Sequence, residues 1–135
     1  MASFTITPLS PVLSRPFEVR IALERLANKF HVPAPNIRFS HGRKKGVYLK
    51  HEDTILIGPN AWNGLTNTFL HCMSHAIVHK VSTDQEFHGI RFLDTLWQVV
   101  LAHYGNPEQY SWYADHSVVF EYGRNKIRSQ KMEWE

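Results

Sequence analysis

Apolar and polar positions change rhythm several times along the chain. Phe17, Ile21, Leu23, Leu26 and Phe30 follow one another at roughly helical spacing, behind Ser14 as a capping residue and Pro16 in the first turn, which predicts a helix over 15–30. Pro33 and Pro35 end it. Three short β-prone runs, 37–39, 46–49 and 54–57, are separated by glycine and charged turn clusters and predict a three-stranded antiparallel meander. After the Gly58-Pro59-Asn60 break, an apolar run with Leu65, Phe69, Met73, Ala76 and Ile77 at helical offsets predicts a second helix over 65–81. A polar stretch, 82–86, separates it from a third helical pattern, opened by His88 or Gly89 and stopped by Gly105-Asn106-Pro107.

Residues 1–14 hold two prolines and no sustained period, and read as an extended arm. At the other end, 108–135 mix aromatic residues with a run, 117–122, that reads equally as strand or helix. The expected class is therefore α+β: an N-terminal helix, a small three-stranded antiparallel meander, a second helix and a following helix, in one domain over 15–135. With 135 residues, 43% apolar and 20% charged, the chain can bury a core without dividing. No apolar run approaches the roughly 20 residues that cross a bilayer, and the N-terminus has neither the basic nor the apolar region of a secretory signal. An intracellular protein, cytoplasmic or nucleoid-associated, with no membrane partner, is the expectation.

The formal charge of +3 permits a polyanionic partner without requiring one. A single cysteine, Cys72, excludes an internal disulfide and a four-cysteine zinc knuckle, so a metal would be held mainly by His, Asp or Glu. Nine histidines turn attention to imidazole. His71 and His75 lie four apart on the second helix, which puts both rings on one face, one turn apart, as two ligands of one metal require. With nine histidines about 0.6 such pairs arise by chance, so spacing alone decides nothing. A tetrahedral site needs a third ligand from a separate element, and His88, at the head of the third helix, offers one. His79 continues the face, but about 12 Å along the axis from His71, too far to share its metal.

With Leu70-His71-Cys72-Met73-Ser74-His75-Ala76 and His88-Gly89-Ile90-Arg91-Phe92 in this order, the chain resembles the SprT-like family of zinc metallopeptidases over residues 17–104. In that family a helix bearing H-E-x-x-H follows a short β-meander, and a third zinc-binding His sits in an H-G-x-x-F segment opening the next helix. The resemblance implies a zincin-like, Spartan-type domain that holds Zn2+ through His71, His75 and His88 and acts on polypeptides, including those attached to nucleic acid. One position departs from the pattern: Cys72 stands where the family has its general-base Glu. A thiol is shorter than a carboxylate, and losing a general base typically costs about 10² to 10⁴ in rate, so peptidase activity is expected to be weak or lost. Asp84, Glu86, Asp115 and His116 are the replacement bases the sequence offers, and nothing in it places any of them at the metal. The family's cysteine-rich zinc ribbon is absent.

Two other classes stay open. One is a non-catalytic module that keeps zinc as a brace and binds nucleic acid or protein; the other is a metal-free interaction scaffold whose histidines only pack. For nucleic acid, the basic turn Arg43-Lys44-Lys45 would grip phosphates, as would Arg124, Lys126, Arg128 and Lys131, with Tyr48, Trp62 or Trp112 stacking on bases. For Cys72 the plain alternative is a small buried hydrophobe.

Overall fold

A computed structural model describes residues 12–43, 45–58, 64–81 and 90–106. Three helices, α1 (Pro16–Lys29), α2 (Leu65–Val81) and α3 (Ile90–Tyr104), accompany three strands, β1 (Asn36–Phe39), β2 (Val47–Leu49) and β3 (Thr54–Ile57). The class is α+β. No helix among the described residues is long and apolar enough to cross a membrane.

The sheet corrects one expectation. It is mixed rather than an antiparallel meander: the order is β1-β3-β2, with β1 parallel to β3 and β2 antiparallel to it. Burial supplies the reason. In β3, Thr54, Ile55 and Ile57 are buried and Leu56 half-buried, so this strand has apolar contacts on both faces and belongs in the centre. The more exposed β1 and β2 take the edges. Between β2 and β3 a single 3-10 turn (Lys50–Glu52) ends on Asp53 in the left-handed region, at φ 47°, and turns the chain back on itself.

Pro16 starts α1, as its fixed φ and missing N–H allow, but the capping position is Arg15, in extended conformation. Ser14 instead donates its hydroxyl to the Glu18 carboxylate, at 3.0 Å. The buried face of α1 is Val19, Ala22, Leu23, Leu26 and Ala27, whereas Phe17 and Ile21 are 52% and 44% exposed. Size misleads here: the two alanines let the helix approach its neighbours closely, while the Arg15 guanidinium lies over the Phe17 ring at 5.7 Å. Of the N-terminal arm, Leu13 is buried, and its N–H donates to Thr66 Oγ1 at 2.7 Å.

The central element is α2. Leu65, Phe69, Leu70, Cys72, Met73, Ala76, Ile77 and Val78 are all buried, and with them Thr66 and Ser74, as expected of a helix with the sheet on one flank and α1 and α3 on others. The buried Ser74 hydroxyl is satisfied by donating to the Leu70 carbonyl at 2.8 Å. Asn67, His71 and His75 are half-buried and His79 is exposed, so this side remains the more open stripe of the helix. Against α2, α3 sets Phe92, Leu96, Val99 and Val100. Gly105, at φ 84°, ends α3 by donating its N–H to the Leu101 carbonyl at 2.9 Å.

A polar tie joins the sheet to the far end of α2. The Tyr48 hydroxyl donates to Asp53 Oδ1 at 2.7 Å, Lys80 Nζ lies 3.0 Å from Asp53 Oδ2, and the same ammonium donates to the Pro33 carbonyl. Burial and the Asp53 carboxylate push the Tyr48 phenol well above its ordinary range. This ring is committed to the core, so Tyr48 is not a platform for stacking bases.

Candidate metal centre

Four-residue spacing stacks His71 above His75 on the open stripe of α2, and the rings turn toward each other. Their Nε2 atoms are 3.1 Å apart, with ring centroids 4.8 Å apart and planes at 71°. Two imidazole nitrogens this close repel through their lone pairs unless one carries a proton and donates to the other, or a cation lies between them. Two nitrogen ligands of a tetrahedral zinc, each about 2.0–2.1 Å from it, stand about 3.3 Å apart. The observed separation and the neutral, soft-to-borderline donor type therefore suit a shared zinc ion with little adjustment.

Phe92 of α3 backs the pair. Its ring stacks on His75 with centroids 4.2 Å apart and planes at 21°, and meets His71 edge-on at 5.0 Å and 64°. Among the described residues, no group of three His, Cys, Asp or Glu side chains assembles that could hold a metal. His88, the third ligand implied by the family resemblance, lies outside the described residues, as do Lys44, Trp62, Trp112, the four replacement bases and the C-terminal basic cluster.

Cys72 faces elsewhere. It is 1% exposed, and its Sγ lies beside Gly46 at the start of β2. A Cβ built on Gly46 would come within 2.5 Å of Thr68 Cγ2 and 2.8 Å of both Cys72 Sγ and Ile57 Cγ2. Only glycine fits there, because all three neighbours are short side chains with little freedom to retreat. Burial pushes the Cys72 thiol up to about 12, with the Arg43 guanidinium pulling weakly the other way. Buried in this way, the thiol packs as a small apolar side chain does.

Arg43 shares this side of the molecule. It is half-buried, and its Nε is shielded from solvent with no hydrogen-bond partner among the described residues. Part of the guanidinium is thus turned inward, while Lys45 is exposed. Along the open stripe, His79 approaches the Tyr48 ring at 5.8 Å and belongs to the polar tie rather than to the histidine pair. Two contributors escaped the sequence reading. Thr68 lies four residues before Cys72, a spacing that marks it as a neighbour on the same face, and Phe92 ends the His88-Gly89-Ile90-Arg91-Phe92 segment, where it reads as ordinary core.

Comparison with known proteins adds nothing to this geometry: no protein-family model, no curated protein and no solved structure matches the chain.

Proposed function

We propose that this chain is a zinc-binding protein of SprT-like metallopeptidase design, in which His71, His75 and His88 hold the metal and peptidase activity is weak or lost. The observation that supports it is the convergence of His71 and His75 Nε2 atoms at 3.1 Å on the open side of α2. In the sequence His88 stands four residues before Phe92, the side chain that touches both rings. Zinc, when bound, supplies a Lewis acid for polarising a carbonyl. The chain's own residues supply two oriented imidazoles and an aromatic wall, but Cys72 offers no base to take a proton. Its polypeptide partner, including one carried on nucleic acid, would therefore be bound more readily than cut.

The buried thiol also favours a second reading, a non-catalytic module braced by zinc. Both readings require the metal. Protein purified without chelator and then offered zinc should hold close to one equivalent by elemental analysis. His75→Ala should lose that zinc while keeping its helical circular dichroism. A native chain that takes up no zinc would sink both readings and leave the metal-free scaffold.

A further inference from the structure

We infer that Phe92 is a positioning residue for the histidine pair, the group that fixes both imidazoles so that their Nε2 atoms face one point. This rests on the zinc-binding reading for its purpose, but not for its geometry. Histidines one turn apart on an open helical stripe have two side-chain torsions each, and most combinations send the ring nitrogens to different places. Something must select the combination in which they converge. Both rings touch the same buried side chain: Phe92, 2% exposed, lies flat on His75 at 4.2 Å and meets His71 edge-on at 5.0 Å.

The two contacts divide the task. Stacking at 21° sets the plane of His75, and edge contact at 64° sets the tilt of His71, so the rings stand at 71° to each other with their Nε2 atoms 3.1 Å apart. The wall itself cannot drift, because Phe92 shares the α2–α3 core with the fully buried Leu96, Val99 and Val100. It also shields one side of the pair from water, which strengthens any charge interaction there. Phe92 donates no electrons to a metal; it acts through the two imidazoles.

The test compares Phe92→Leu with Leu96→Ala, a cavity variant in the same helix that takes nothing from the histidines. Zinc affinity is read by competition with a chromogenic chelator, and the tautomers and hydrogen bonding of the imidazoles are read in metal-free protein by long-range ¹H–¹⁵N spectra. Phe92→Leu should weaken zinc binding about 10- to 100-fold, the usual cost of losing the support behind a metal ligand. It should also erase the Nε2-to-Nε2 hydrogen bond. Leu96→Ala should lower the melting temperature yet leave both readouts as in the native chain. Equal zinc affinity in Phe92→Leu and native protein would overturn the inference and leave the zinc reading standing. If the native chain binds no zinc, the zinc reading fails, and the imidazole spectra decide alone: unchanged in Phe92→Leu, they overturn the inference; changed there and not in Leu96→Ala, they uphold it.

Discussion

His71 and Cys72 are neighbours in the chain, yet α2 turns them toward different environments. On the histidine side the helix is half-open, and both rings pack on a flat aromatic wall from α3. On the thiol side it is closed by the sheet, with Gly46 so near Thr68, Cys72 and Ile57 that a single methyl group on it has no room. The first arrangement leaves donors accessible and aimed; the second removes a potentially reactive group from water. In a zincin-like pattern both positions would serve one reaction. Here burial against the sheet separates the thiol from the paired imidazoles.

The comparison breaks most sharply at Cys72→Glu. If the thiol side is closed, a carboxylate there must be buried without a partner or force the β2 junction away, and stability should fall by about 4 kcal/mol or more in urea titration, with no gain in peptidase activity. A stable Cys72→Glu protein that cleaves peptides would mean that the two sides communicate. Gly46→Ala probes the same contact more gently. Overpacking by one methyl should cost about 1–3 kcal/mol, and combining it with Cys72→Ala should cost less than the sum, because removing Sγ relieves one of the three close contacts. Strict additivity would mean that the junction accommodates the methyl by moving as a whole.

Alkaline pH gives the smallest effect and reaches both sides of α2. Burial raises the Cys72 thiol from 9.0 to about 12. The Tyr104 phenol, which donates to Asn67 Oδ1 at 2.7 Å, is raised from 10.0 to about 12, mainly by burial. Each group releases its proton later in the folded state than in the unfolded chain, so the stability it contributes is complete below the unfolded value and is lost as pH climbs toward the folded one. Urea midpoints should therefore fall between about pH 8 and pH 11. Cys72→Ala should flatten the earlier part of the fall and Tyr104→Phe the later part. A flat native profile would show that neither side chain is sequestered.

Much of this arrangement was legible in the residues. The start of α2 at Leu65 agrees with its apolar period, and the end of α3 with its stop at Gly105, because periodicity and glycine or proline punctuation are local signals. The sheet order was not local. Residues 54–57 form a near-continuous apolar run, the mark of a strand covered on both faces, and weighing that burial above chain order would have put β3 in the centre. On α1 the large apolar residues do not by themselves mark the buried face: Phe17 and Ile21 are exposed, while Ala22 and Ala27 are buried beside Leu23 and Leu26. The i, i+4 histidines announced a shared face. That their nitrogens converge depends on ring rotation against Phe92, which no spacing rule encodes.

The crossed order of the sheet also carries a consequence for how the chain comes together. β1 is complete early in synthesis, but its register partner is β3, with Asn36 opposite Thr54 and Phe39 opposite Ile57. Until residue 57 has been made, the edge formed by Ile37 and Phe39 has no strand to join, while β2 and β3 can close on each other across their short turn as soon as both exist. Neither edge strand has its partner before β3 exists, so the sheet cannot form until residue 57 has been made.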